Sequence, residues 1–181
     1  ASFRPLYQSV REAGAKNFVA CTQDFLIHMP DLLDLPILNG KPERYFMNIL
    51  KILGIKTLNY GNPQAGLEEP ETYRRNYGFD LYKIGFSGAC DYIYQQVWND
   101  FGNKKWRSHT MAYATVTKPI PTIQWEGWRA GVNDIRYLTY LQSKGIDLQP
   151  ILDNNNESNL YRLREKIIKE IGYYIIIGYE L

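Results

Sequence analysis

Four short apolar runs constrain this chain more than any other feature. They are Asn17–Cys21 (NFVAC), Leu33–Leu38 (LDLPIL), Ile55–Tyr60 (IKTLNY) and Ala89–Gln95 (ACDYIYQ). Stretches of helical period separate them. Ser2–Ala13 puts Leu6, Val10 and Ala13 on one face. Pro42–Leu53 is expected to face Tyr45, Ile49, Ile52 and Leu53 inward, and Pro70–Ile84 aligns Tyr73, Tyr77, Leu81 and Ile84. Strands alternating with helices predict an α/β fold with a parallel sheet. Four βα units are about half of a (β/α)8 TIM barrel, which has eight strands. The expected division is a half-barrel over residues 1–145 and a C-terminal segment over 146–181.

Local chemistry sets the boundaries. Gly14, Gly54 and Gly145 each follow a periodic stretch and are expected to stop it, and Asn39-Gly40 predicts a turn. Thr22–Met29, with Asp24 and His28, reads as a loop or short helix. Pro36 argues against a central place in the sheet for the second strand, because proline donates no ladder hydrogen bond. Ser158–Ile171 reads as a helix stopped by Gly172. The tail Tyr173–Leu181 (YYIIIGYEL) is β-prone and is expected to be paired or covered.

Thr122–Leu141 (TIQWEGWRAGVNDIRYLTYL) carries the densest chemistry. Thr122–Gln124 reads as the end of an extended segment, and a helical period takes over from Trp125: Trp128, Val132, Ile135, Leu138 and Leu141 recur at spacings of three and four, which predicts one buried helical face. Gly127 and Gly131 lie four apart and would let the helix sit close against what it covers. Glu126 and Arg129 can pair across one turn, as can Asn133 or Asp134 with neighbours. Either these polar groups pin the helix to the body of the domain, or Glu126 or Arg129 meets a ligand.

Candidate binding residues fall just past strand ends, where parallel α/β barrels build their sites. Tyr60, Asn62 and Gln64 offer an aromatic face and amides that donate and accept as sugar hydroxyls do. A Gly/Pro-rich turn satisfied by its own amides is the plainer alternative. The long stretch Gln96–Pro121 adds Trp98, Asn99, Asp100 and His109, and Tyr94 closes the fourth run. Loops of that length in a compact domain are usually functional or disordered, and an aromatic loop of mixed charge argues against disorder. Fifteen Tyr and four Trp suit sugar rings as well as ordinary cores.

Other chemistries find little support. A net charge of +2 without a basic run gives no reason to expect nucleic acid. No apolar stretch is long enough for a membrane span. Two Cys and two His predict neither a disulfide framework nor a metal site, and no cofactor is expected. Asp24, Asp100 and Glu126 are the carboxylates best placed to approach a site. No pair of them has diagnostic spacing, so catalytic residues stay unassigned.

WEGWRAGVNDIRYL resembles the W-E-x-x-R-E-G-x-x-D-x-R/E-Y-L signature of glycosidase-like TIM barrels, a group related to N-acetyl-β-galactosaminidase-like glycoside hydrolases. Ala130 stands where the signature has Glu, and Asn133 where the group often has Asp, each removing a negative charge. Tyr60–Gln64 (YGNPQ) and Trp98–Phe101 (WNDF) resemble loops of the same group. RSHTMAYATV resembles its H-T-x-x-Y-P-T loop, with Ala114 in place of Pro. The resemblance spans residues 15–142 and corresponds to the second half of the barrel. It implies a carbohydrate-active protein that contributes sugar-binding loops. It also implies a partner, either a missing N-terminal half-barrel chain or a second copy, unless the half has become a small open α/β domain whose C-terminal segment covers an edge. The catalytic pair of those enzymes precedes the matching segment. The alternative is a non-catalytic structural or assembly subunit derived from such a barrel.

Overall fold

The computed structural model describes residues 3–40, 43–60, 69–91, 94–96, 109–153 and 160–178. The chain forms two compact units, one of Ala1–Gly66 with Ile84–Thr110, the other of Leu67–Lys83 with Met111–Leu181.

The first unit is built on a four-stranded parallel sheet. Its strands are β1 (Phe18–Cys21), β2 (Leu35–Leu38), β3 (Leu58–Asn59) and β4 (Gly88–Ala89), in spatial order β1-β2-β3-β4. Helices α1 (Arg4–Glu12), α2 (Gln23–His28) and α3 (Arg44–Ile52) accompany the first three strands. Gly14 and Gly54 follow α1 and α3 at φ 77° and 70°, the left-handed conformation that ends a helix without a Cβ penalty. Thr22 caps α2, its hydroxyl accepting from Phe25 N at 3.3 Å.

Paired residues share a face. Val19 and Cys21 stand beside Pro36 and Leu38 and face the helices. There Cys21 and Leu38 pack with Leu26 of α2 and with Phe46, Met47 and Leu50 of α3, and Tyr7 of α1 joins the cluster. The other face carries Phe18, Ala20, Leu35, Ile37 and Leu58.

Pro36 does lie in a central strand, contrary to expectation. Leu35 and Asn39 donate their N–H groups to Asn17 O and Cys21 O of the β1 segment, so odd positions of β2 face β1. The nitrogen of Pro36 therefore faces β3, whose pairing begins only at Ile37↔Leu58. No ladder bond is lost there. The fourth expected strand is also shorter: the parallel ladder ends at Asn59↔Ala89. Beyond it, β5 (Gln95–Gln96) pairs antiparallel with β6 (His109–Thr110).

The second unit packs helices α4 (Pro70–Asn76), α5 (Phe79–Ile84, through Lys83), α6 (Ile123–Ser143), α7 (Gln149–Asp153) and α8 (Leu160–Gly178), with a hairpin of β7 (Ala112–Tyr113) and β8 (Ile120–Pro121). The expected helix Pro70–Ile84 is two helices. The break falls at Gly78, where a Cβ would lie 2.9 Å from the Cα of Gly131. Thr122 caps α6, accepting from Trp125 N at 3.3 Å and donating to Met111 O at 3.1 Å. The buried line of α6 is Gly127, Gly131, Asp134, Leu138 and Leu141. Trp128, Val132 and Ile135 are only half-buried. Leu138 and Leu141 join Phe79, Leu160, Leu163 and Ile167 in the core.

Gly172 does not stop α8, and Tyr173–Gly178 is helical rather than extended. Leu160, Leu163 and Ile167 anchor the earlier turns in the core, and a nucleated helix propagates through weaker formers. Nothing lies within 4 Å of a Cβ built on Gly172. Gly172→Ala should therefore stabilise the protein by about 0.5–1 kcal/mol, read as a higher thermal midpoint. A loss of stability would argue against a continuous helix here.

Candidate functional site

The carboxyl ends of the four parallel strands place Cys21, Leu38, Asn59 and Ala89 at one level. Outer ends of parallel strands are where α/β sheets bind ligands. One step further stand Asn39, Tyr60 and Cys90. Tyr60 is half-buried, and its N–H donates to Leu38 O at 3.1 Å.

Asn59 organises this rim, a role that its place at the end of an apolar run did not single out. It is buried, and its Nδ2 donates to Leu38 O at 3.1 Å and to Gly40 O. The amide thus ties the β2 exit and the turn after it to β3. Neither rim cysteine is a ready nucleophile. Burial pushes the Cys21 thiol up to about 11 and raises that of Cys90 as well, so both are protonated at neutral pH.

Of the sequence-selected residues, Tyr94 is exposed beside β5 and His109 begins β6. Asn62, Gln64, Trp98, Asn99 and Asp100 lie outside the described residues. Asp24 and His28 are exposed on α2. Arg4 of α1 reaches that region: it donates to His28 O and forms a two-pronged pair with Asp31 at 2.8 and 2.9 Å. The hydrogen bond from Arg4 holds the Asp31 carboxyl below its ordinary range. Arg11 pairs with Asp34 at 2.9 Å, and Asn17 N–H holds the same carboxyl low. These contacts fasten α1 to the unit and leave no carboxylate pair free for catalysis among them.

The second unit answers the question raised by the WEGWRAG stretch. Glu126 and Arg129 pair with each other at the surface, Nε to Oε2 at 2.7 Å. The group that pins α6 is Asp134. It is fully buried and accepts from Arg74 Nε at 2.7 Å and from Arg164 Nε. Arg74 also donates to Leu160 O at 3.1 Å, and Arg164 to Ala130 O at 2.8 Å. Sequence reasoning missed this triad, because its members sit on three helices far apart in the chain.

A cavity of about 30 Å³ in the same unit is lined by Arg75, Phe79, Asp80, Lys83, Leu152, Leu160 and Leu163. That is far below the several hundred Å³ of a ligand pocket. Among the described residues no cluster of His, Cys, Asp and Glu suits a metal ion, and no helix is long and apolar enough to cross a membrane. No protein-family model matches the chain, and no curated protein does.

Proposed function

We propose that the chain is a carbohydrate-active protein, built as the C-terminal half of a glycoside hydrolase-like (β/α)8 barrel and contributing sugar-binding loops. The strand order carries the reading. A parallel sheet whose strands follow one another in sequence, with α1, α2 and α3 packed against one face, is the arrangement of a barrel segment. A doubly wound sheet reverses its order and covers both faces. Tyr60 follows β3 at the end of the sheet where barrels bind their substrates, and an aromatic residue there supports the reading. The remaining contacts of the reading are Asn62, Gln64, Tyr94, Trp98, Asn99, Asp100 and His109. Hydrolysis needs two carboxyl groups at a set separation, so activity in this reading depends on the strands of the other half-barrel.

The test is Trp98→Ala, with sugar binding followed by calorimetry and folding by thermal denaturation. Binding should weaken about 10-fold or more, as for loss of one ring stacked on a ligand, while the thermal midpoint barely moves. Equal loss of both would make Trp98 a core residue.

One observation favours the second reading, a structural or assembly subunit. Asp134 is the acidic residue retained in the second half of the WEGWRAGVNDIRYL motif, and it is locked between two arginines in the interior. Turnover of a panel of aryl glycosides separates the two readings: release of the aryl group supports an enzyme, and sugar binding without release supports a subunit.

A further inference from the structure

We infer that Asn39 is a further sugar-contacting residue, and that with Tyr60 and Cys90 it forms an uncharged, hydrogen-bonding row over an apolar floor, suited to a neutral sugar. The inference rests on the carbohydrate reading above and names the part of the site that β2, β3 and β4 themselves supply.

The ladder sets the face on which these residues lie. Asn39 N–H donates to Cys21 O at 3.0 Å, Tyr60 N–H to Leu38 O at 3.1 Å and Cys90 N–H to Asn59 O at 2.8 Å, so parallel geometry continues through this level. One residue earlier, Leu38, Asn59 and Ala89 are level with one another, and Leu38 packs with Leu26 and Phe46 of the helices. Side chains alternate along a strand, so Asn39, Tyr60 and Cys90 belong to the opposite face. Adjacent strands stand about 4.8 Å apart, so Asn39 and Cys90 flank Tyr60 across about 10 Å. Below them on that face come Ile37, Leu58 and Gly88, and below these Leu35, all apolar. A Cβ on Gly88 would lie 2.9 Å from Leu58 Cδ2, so Leu58 leans across β4 and takes the place of a side chain there. Binding sites for small molecules combine such apolar walls with a few placed polar groups.

The turn does not explain Asn39. Asn39-Gly40 reads in sequence as a turn, but the left-handed position is Gly40, at φ 85°, while Asn39 keeps its ladder bond. The carbonyls on either side of Asn39 are both pinned: the buried Asn59 donates through Nδ2 to Leu38 O at 3.1 Å and to Gly40 O. Asn39 itself is exposed, and Tyr60 and Cys90 are half-buried. An amide on a backbone fixed from both sides loses less freedom on binding, and it both donates and accepts, as sugar hydroxyls do. The aromatic Tyr60 beside it suits the apolar face of the same sugar ring.

The test uses an array of neutral and acidic oligosaccharides, with the whole chain and with Asn39→Ala. Neutral members should bind. Calorimetry with the tightest of them should show an affinity about 5- to 10-fold lower for Asn39→Ala, as for loss of one hydrogen-bonded group, with the thermal midpoint unchanged. Alkylation of the unmodified chain by iodoacetamide, read by mass spectrometry, needs no variant: Cys90 should react faster than the buried Cys21, and the sugar should slow Cys90 alone. Full-strength binding by Asn39→Ala overturns the inference. So does a Cys90 that reacts no faster than Cys21, a Cys90 that the sugar leaves unprotected, or a preference for acidic members. In each of these cases sugar is still bound, and the carbohydrate reading stands. Binding to no member of the array removes the reading and the inference together.

Discussion

Asp134→Ala should be among the most damaging single substitutions in the second unit, lowering stability by about 3–5 kcal/mol. Asp134 is fully buried, and Arg74 is 2% exposed. The carboxylate is the anion that both Arg74 and Arg164 contact directly in the interior, with the half-exposed Glu71 3.8 Å from Arg74 at the rim. Without it two guanidinium groups lose their shared buried anion and keep the carbonyls of Leu160 and Ala130, with the Tyr161 ring and Glu71 beside Arg74. Breaking a buried pair on one side leaves a desolvated charge, and that penalty exceeds what the intact pair contributes. For a chain of this size the loss corresponds to about 6–20 °C in thermal midpoint. Two controls sharpen the measurement. Glu126→Ala removes an exposed pair and should change stability by under about 1 kcal/mol. Replacing the triad together, Arg74→Met with Asp134→Leu and Arg164→Met, should recover most of the loss, because apolar groups of similar volume need no partner. A urea titration of the four proteins decides it. An Asp134→Ala cost near that of Glu126→Ala would mean that water reaches the triad.

The same helix shows where sequence reading succeeds and where it stops. Its existence and the close approach at Gly127 and Gly131 follow from local signals, a 3.6 period and two small residues four apart, whereas its first turn, capped by Thr122, starts at Ile123 rather than at the expected Trp125. Its buried face does not. Periodicity favoured the large apolar line through Trp128, Val132 and Ile135, whereas the line that packs deepest runs through two glycines and an aspartate. Hydrophobicity marks what gains from burial, but the deepest line goes to the residues that allow the closest backbone contact. An aspartate can join them only because Arg74 and Arg164 arrive from 60 and 30 positions away. No window on the sequence sees that pairing. Pro36 and the end of α8 fail for a related reason. Which side of β2 lacks a partner, and how far a core-anchored helix propagates, are set by neighbours rather than by local preference. For the candidate rim, the βα order made the position of Tyr60 legible, while the tie from Asn59 to Leu38 and Gly40 depends on register across two strands.

Gly127→Ala tests that explanation of the α6 face, and its sign is the informative part. Alanine is favoured over glycine inside a helix by about 1 kcal/mol, so a substitution judged by propensity alone should stabilise. At Gly127 the new Cβ would lie 2.2 Å from Pro70 O and 2.8 Å from both the carbonyl carbon and the Cα of the same residue. These are backbone atoms of α4, and no rotamer change can move them aside. Nor can the helix slide along its neighbour to make room, because the approach is as close one turn later, where a Cβ built on Gly131 would lie 2.7 Å from Arg74 O, and Arg74 is tied to Asp134 of α6. The helices must separate, which stretches the Arg74–Asp134 bond and opens the stack of Tyr77 on Trp128, now 3.9 Å between ring centres. Overpacking of this kind costs about 1–3 kcal/mol and occasionally more. With the propensity gain subtracted, Gly127→Ala should still destabilise by about 1–2 kcal/mol. Gly127→Val should be worse, since a branched side chain meets the same carbonyl with greater bulk. Thermal denaturation of Gly127→Ala beside Gly172→Ala makes the comparison internal. The two carry the same chemical change in a helix and are expected to move the midpoint in opposite directions. Stabilisation at both positions would mean that α4 and α6 are not in contact at Gly127, and the small-residue account of the α6 face would have to be abandoned.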